Sequence, residues 1–176
     1  LKGGRDKCLE ANINILGGHS IKDSSPKYGL AATGIIENNK IVKNNTAKNN
    51  DILILTKPLG TGIISTANKK QLIKDNSANI ATEVMLALNN NSSEIMQQFN
   101  IHACTDITGY GLLGHLNERC ISSKLSAVIN FNEVDFIKNV DKFASKDIIP
   151  GGTKKNLEFY NNNIDFNHSI KNYQKY

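Results

Sequence analysis

The middle of the chain carries the sequence HACTDITGYGLLGH at residues 102–115, and this stretch decides how the fold is predicted. A short apolar approach leads to Asp106, and Gly109 and Gly111 precede a helical pattern of leucines. Because glycine adopts the positive φ angles that tight turns need, this order predicts a strand, a turn and the start of a helix. Unpaired N–H groups and the positive end of the helix dipole make such a helix start suitable for phosphate.

Asp106 precedes the turn, where a carboxylate can hold a divalent cation against a bound phosphate. Mg²⁺ prefers oxygen ligands and often bridges phosphate groups, so Asp106 is the candidate metal ligand. Thr105, Thr108 and Gly109 lie beside the acid and in the turn, and they are the candidate phosphate-proximal residues. An ordinary strand–loop–helix connection with a helix-capping Asp explains the same residues equally well, and these residues alone leave both interpretations open.

The composition predicts a single sizeable core and argues against a membrane protein. The chain has 176 residues, of which 39% are hydrophobic, and no apolar run is long enough to span a bilayer. The first residues, LKGGR, do not resemble a secretory signal. The sequence starts without Met and within a predicted element, so we expect it to be a fragment.

The net charge of +5 suggests nucleic acid as a partner, but the pattern of the charges does not support it. The lysines are spread along the chain and only 6% of the residues are aromatic, so we interpret the charge as general solvation. Three cysteines, Cys8, Cys104 and Cys120, lack metal-site spacing and predict reduced thiols in the cytoplasm. We interpret them as small hydrophobic residues rather than catalytic thiols.

Apolar spacing along the chain predicts strands that alternate with helices, and hence an α/β (α+β layered) fold. The best helix is residues 77–88, where Ile80, Val84 and Leu88 recur at four-residue spacing and Met85 is expected in the core. Further helices are predicted at residues 6–12, 63–67, 92–98, 115–120 and 134–144. Strands are predicted at residues 13–16, 29–36, 41–42, 51–56 and 127–131, besides the approach to Asp106.

Several turns and polar residues have both a structural and a functional interpretation. The sequence KPLGTG at residues 57–62 is a second strand–glycine turn–helix unit, for which a tight structural turn is favoured over a ligand loop. Lys57 either contacts phosphate or is solvated. A structural role is favoured over metal ligation for His102 and His115, and Asp23 is interpreted as an Asx-turn residue. Residues 150–153 are predicted to form a turn, and the polar tail from Asn161 is expected to fray.

Five sequence blocks in one order resemble the selenophosphate synthetase (selenide, water dikinase) family. They are GGHS at residues 17–20, PKYGLAATG at 26–34, DILILTKPLGTG at 51–62, the stretch at 102–115, and PGG at 150–152. This family lies in the superfamily of aminoimidazole ribonucleotide synthetase and thiamine-monophosphate kinase. The resemblance covers residues 1–156. The histidine of GGHS and the KPLGTG block favour the selenium branch over its relatives.

The resemblance implies an enzyme that converts ATP, selenide and water into selenophosphate, AMP and phosphate, and so supplies selenium for selenocysteine. Such a transfer relies on positioning and on neutralisation of charge by metal ions. The implied cofactors are ATP and Mg²⁺, and the implied assembly is a homodimer. Asp106 matches a metal-binding aspartate. Gly17, Gly18, His19 and Ser20 match a stretch near the nucleotide, which partly reaches across the dimer.

The resemblance also implies two domains and an incomplete active site. Residues 1–48 would end an N-terminal barrel-forming sheet domain that binds ATP and dimerises, and residues 49–176 would form most of a C-terminal α/β domain. The reactive Cys or selenocysteine, its Lys and the other metal-binding aspartates are expected upstream. We therefore expect no catalytic residue in this chain and no activity from it alone. A related small-molecule kinase or ATP-dependent cyclase, and a non-catalytic dimerising paralogue, remain alternatives.

Overall fold

A computed structural model describes residues 1–176 and consists of seven α-helices joined by turns and extended segments. None of these helices has the length and apolar character that crossing a bilayer requires. Short 3₁₀ turns lie at Asn38–Lys40, Phe131–Glu133, Asn161–Asn163 and Asn172–Lys175. The helices are α1 (Lys2–Glu10), α2 (Thr61–Lys69), α3 (Ser77–Leu86), α4 (Asn90–Met96), α5 (Gly111–Ser123), α6 (Val140–Ala144) and α7 (Gly151–Tyr160).

The predicted α/β layered fold is wrong, because the structure contains no β-sheet. One isolated parallel bridge, between Leu59 and Phe136, is the only strand-like pairing. A strand is stable when a neighbouring strand takes its backbone hydrogen bonds, and none of the predicted strands has such a neighbour. The sequence predicts a strand at residues 51–56, where the continuous apolar run favours burial, yet Ile52 and Ile54 are 87% and 78% exposed. The predicted end of a barrel-forming sheet domain is absent for the same reason.

The hydrophobic core lies where α2, α3 and α6 meet. Ile64 of α2 is completely buried, and the small side chains of Ala67 and Ala81 allow α2 and α3 to approach closely. Ile80 and Val84 pack against this core, as the four-residue spacing predicted. Since only 13 of the 176 residues are buried, and Cys8 is the only one before Ile63, the first third of the chain adds almost nothing to the core. The core consists of Ile63, Ile64, Ala67, Ala81, Ile137, Val140, Phe143, Ala144 and Ile148.

The glycine turn at residues 57–62 is structural, as the sequence favoured. The Leu59 N–H donates to the Asp135 carbonyl and the Leu59 carbonyl accepts from the Ile137 N–H, both at 2.9 Å. Gly60 then adopts a φ of 111° directly before α2. A Cβ atom at Gly60 would overlap the side chain of Val140 in α6. Lys57 donates its ammonium group to the Ala87 carbonyl at the end of α3, which gives it a structural partner.

Several predicted elements differ in extent or burial. Met85 is 57% exposed and lies outside the core. The helix predicted at residues 134–144 shrinks to α6, because Phe136 takes part in the bridge to Leu59. The turn predicted at residues 150–153 is the start of α7, with Pro150 as its N-cap residue. Proline suits the start of a helix because its fixed φ is compatible with the helix and its missing N–H is not needed there. The tail does not simply fray, since Tyr173 packs against the core.

We predict that Gly60→Ala destabilises the chain by about 2–4 kcal/mol, since it combines a positive φ with overpacking against Val140. Urea unfolding followed by circular dichroism measures the change. Gly3→Ala is the matched control, because Gly3 lies in α1 and a Cβ there would meet nothing within 4 Å. Equal unfolding midpoints for the two variants would contradict the structural role of the turn.

Candidate functional site

The loop at residues 105–110 connects an extended segment to the N-terminus of α5 and carries Asp106 at its surface. The Asp106 carboxylate is exposed and forms no hydrogen bond or ion pair with the rest of the chain. An exposed carboxylate without a partner is available to a ligand. Asp106 is the one acidic residue of the motif, and its carboxylate has no partner in the fold.

The chain does not build a complete metal site around Asp106. No group of three or more His, Cys, Asp and Glu side chains lies close enough to hold a metal ion anywhere in the structure. Mg²⁺ is typically held by one or two carboxylates together with waters and substrate phosphates in near-octahedral geometry. Asp106 fits as one ligand of a shared site and not as the centre of a site made by this chain.

The turn after Asp106 is held by hydrogen bonds from two helices. His115 of α5 receives the backbone N–H of Thr108 on its Nε2 atom at 3.1 Å. Asn156 of α7 donates its side-chain amide to the Gly109 carbonyl at 2.8 Å. The Gly111 N–H donates to the Thr108 carbonyl at 2.9 Å, and Gly111 has a φ of 70°. The loop is thus fixed although the Asp106 carboxylate has no hydrogen-bond partner.

Close packing between α5 and α7 brings Asn156 within reach of the loop. Gly114 is buried, and a Cβ atom there would lie 2.8 Å from the Tyr160 ring and 2.9 Å from the Cβ of Tyr110. The absence of a side chain at Gly114 therefore allows the two helices to approach. The sequence did not indicate Asn156, because it lies 47 residues from Gly109 and no local pattern links the two.

His102 has a structural role that the sequence favoured over metal ligation. Its Nδ1 atom lies 2.7 Å from the Asp51 carboxylate, and its Nε2 atom lies 3.2 Å from the side-chain amide of Asn100. Asp51 also accepts the Lys48 N–H at 2.7 Å. The pKa of Asp51 is lowered first by this backbone N–H and then by the hydrogen bond from His102. Both ring nitrogens of His102 are occupied by protein groups.

Residues 102–104, which precede Asp106, contact residues 43–51 through isolated hydrogen bonds and do not form a strand in a sheet. The Cys104 N–H donates to the Lys43 carbonyl at 3.0 Å, and the Thr46 hydroxyl donates to the His102 carbonyl at 2.6 Å. Together with the Asp51–His102 contact, these bonds fix the chain that enters the loop. The loop is therefore anchored before Asp106 as well as after it.

No hydrogen bond or ion pair joins the predicted nucleotide-binding residues to the Asp106 loop. Gly17, Gly18, His19 and Ser20 lie in an exposed extended segment without side-chain hydrogen bonds or ion pairs. A Cβ atom at Gly17 or Gly18 would meet nothing within 4 Å. Of the predicted site residues, only Thr105, Thr108 and Gly109 share the loop with Asp106.

Asp23 has the structural role that the sequence indicated, whereas of the three cysteines only Cys8 is buried. Asp23 accepts the Ser25 N–H at 3.2 Å, as in an Asx-turn, and its pKa is lowered mainly by the hydrogen bond from Lys27. All three cysteines are free thiols, and Cys8 is buried. Burial raises the pKa of Cys120, which disfavours the reactive thiolate.

Comparisons with known proteins give one family and a set of similar relatives. Residues 48–152 match the model of the AIR synthase related protein, C-terminal domain. A protein named selenide, water dikinase from Caldanaerobacter subterraneus subsp. tengcongensis is 46% identical over 159 residues, which are 90% of this chain and 46% of the relative. Proteins of the same name from Aliarcobacter butzleri and Treponema denticola are 42% and 43% identical over 94% and 99% of this chain. The chain spans about half the length of these curated relatives, with 48% and 49% of the latter two covered.

We predict that Asp51 titrates below its ordinary value of 3.8, because the Lys48 N–H and His102 stabilise its charged form. A folded-state pKa that is lowered gives stability that is present above the unfolded value and is lost as the pH falls through the folded pKa. NMR titration of the Lys48 amide measures the midpoint, and Asp51→Asn should abolish the acid-dependent change. A midpoint at or above 3.8 would contradict the contact.

Proposed function

This chain belongs to the AIR synthase related family, and on that premise we propose that it is part of a selenide, water dikinase. The proposed reaction converts ATP, selenide and water into selenophosphate, AMP and phosphate, and supplies selenium for selenocysteine. The observation that carries the proposal is the 46% identity to the Caldanaerobacter protein of that name over 90% of this chain. Relatives from other organisms with the same printed name support the same assignment.

The proposed role of Asp106 is to supply one oxygen ligand to Mg²⁺. Its exposed carboxylate without a partner, on a loop anchored at both ends, supports this role. The proposed site takes its remaining ligands from outside this chain, in which no group of three or more His, Cys, Asp and Glu side chains could hold the ion. When bound, the ion neutralises charge on the transferred phosphoryl group. This chain's own contribution is to hold a carboxylate oxygen at a fixed place.

The proposed nucleotide contacts are Gly17, Gly18, His19 and Ser20, with Thr105, Thr108 and Gly109 near the phosphates. The first four residues support this role because their polar groups are exposed and free of side-chain partners within the chain. Thr108 and Gly109 support it because the loop that holds them also holds Asp106. A bound nucleotide would have to bring these two segments to one site.

We further propose two domains, at residues 1–48 and 49–176, in a homodimeric protein of the cytoplasm. The domain boundary is supported by the family model, which starts its match at residue 48. The concentration of the core after Ile63 also supports a separate N-terminal part. The three free thiols support a reducing compartment.

Deletion of the gene that encodes this chain tests the proposal in the source cell. We predict that incorporation of labelled selenium into selenocysteine is lost, because selenophosphate is no longer made. The unmutated gene should restore the label. Asp106→Asn should lower selenide-dependent AMP formation by the expressed protein at least about 100-fold. This loss is larger than the roughly 10–100-fold effect of removing a residue that only supports a metal ligand.

Asp165→Asn is the matched control for this experiment, because Asp165 is also an exposed aspartate without a hydrogen bond or ion pair. It should restore labelling like the unmutated gene. Continued selenocysteine labelling in the deletion strain would contradict the proposed function. If the unmutated protein forms AMP from selenide and ATP and Asp106→Asn is equally active, the role of Asp106 is contradicted but the proposed function is not.

A further inference from the structure

We propose that His115 and Asn156 are positioning residues that fix the Asp106 loop in the geometry needed to bind a cation. The inference rests on the proposed function, because it assigns these residues to the same site. Neither side chain contacts Asp106. His115 acts on the Thr108 N–H and Asn156 on the Gly109 carbonyl, so two neighbouring residues of the turn are held from two different helices.

His115 can hold the turn only as a hydrogen-bond acceptor. A backbone N–H can donate but not accept, so the Nε2 atom that receives Thr108 carries no proton. The Thr108 hydroxyl lies 3.1 Å from the same nitrogen. The ring proton of neutral His115 is then on Nδ1, on the side where the Glu118 carboxylate lies 3.9 Å away. This arrangement gives His115 a defined tautomer.

The ring of His115 is packed as well as hydrogen-bonded. Its side chain is 11% exposed, and it meets the ring of Tyr110 edge-on with centroids 5.8 Å apart. A side chain confined in this way keeps its nitrogen at a fixed place without losing further rotamer entropy when a ligand binds. His115 is thus a rigid support for the turn.

Asn156 supplies the complementary bond from α7. Its amide is a donor, and the Gly109 carbonyl that it holds has no other protein partner. The contact depends on the small Gly114, which lets α7 approach α5. The turn is therefore held by two hydrogen bonds. His115 accepts from a backbone N–H, and Asn156 donates to a backbone carbonyl.

The consequence for Asp106 follows from its own lack of contacts. Since no hydrogen bond or ion pair holds the carboxylate, its position is set by the backbone on both sides. A ligand held by a loose loop must lose more conformational freedom on binding a cation. Removal of either hydrogen bond should weaken cation binding although the Asp106 carboxylate itself is unchanged.

Amide hydrogen exchange on this chain tests the clamp directly. His115→Phe keeps an aromatic ring against Tyr110 and removes the acceptor, so exchange at Thr108 should become about tenfold faster. His115→Gln offers a carbonyl oxygen near the position of Nε2 and should restore slow exchange. Asn156→Leu removes the hydrogen bond to the Gly109 carbonyl. It should speed amide exchange in the turn while the side chain of His115 stays unchanged.

The matched control is His168→Phe, because His168 is exposed and its side chain forms no hydrogen bond or ion pair. It should leave exchange at Thr108 unchanged. In the protein expressed from the native gene, His115→Phe should raise the Mg²⁺ concentration for half-maximal AMP formation about tenfold, while His115→Gln stays near the unmutated value.

Two results would overturn the inference. Unchanged exchange at Thr108 in His115→Phe would show that the hydrogen bond does not hold the turn. Faster exchange with an unchanged Mg²⁺ requirement would show that the turn does not position a metal ligand. Failure of the proposed function is distinct, because the unmutated protein would then form no AMP from selenide and ATP at any Mg²⁺ concentration.

Discussion

The structure depends on the backbone pairing of Leu59 with residues 135–137, which joins segments that are distant in the chain. The glycine turn follows on one side and α6 on the other, and Gly60 lets them touch where any Cβ would collide with Val140. α3 adds Ala81 to the core, and a second nonlocal contact lies just before it, where Asn139 donates to the Asp75 carboxylate at 2.7 Å. The pKa of Asp75 is lowered mainly by its hydrogen bond from Ser77, so the start of α3 is tied to a charged group.

The Asp106 loop is built differently from this core. It precedes α5 and contacts α7, two helices that pack at Gly114 and Tyr160 and contribute no residue to the core. The turn residues Thr108 and Gly109 are exposed, and hydrogen bonds from His115 and Asn156 hold them. This separation is useful for a binding site, because a net hydrogen bond contributes only about 1 kcal/mol and can be tuned without changing the core.

The exposed apolar segment at residues 51–56 and the exposed carboxylate of Asp106 have the same explanation. Ile52 and Ile54 belong to a run that reads as a buried strand, and Asp106 belongs to a motif that reads as a metal site. Each needs partners that this chain does not place beside it: neighbouring strands for the one and further oxygen ligands for the other. A pattern of residue types reports the environment that a segment suits, whereas the environment itself is made by groups distant in sequence.

The sequence by itself determined the family, the tight glycine turn before α2 and a helix at residues 77–88, which the structure ends at Leu86, because these depend on ordered motifs and local spacing. It also identified Asp106 as the candidate ligand, and it favoured structural roles for His102 and His115. Only the tertiary structure decided that the predicted strands do not pair and that Met85 is exposed. It alone revealed Asn156, since a hydrogen bond across 47 residues is created by the packing of α7 on α5 and leaves no periodic trace in the sequence.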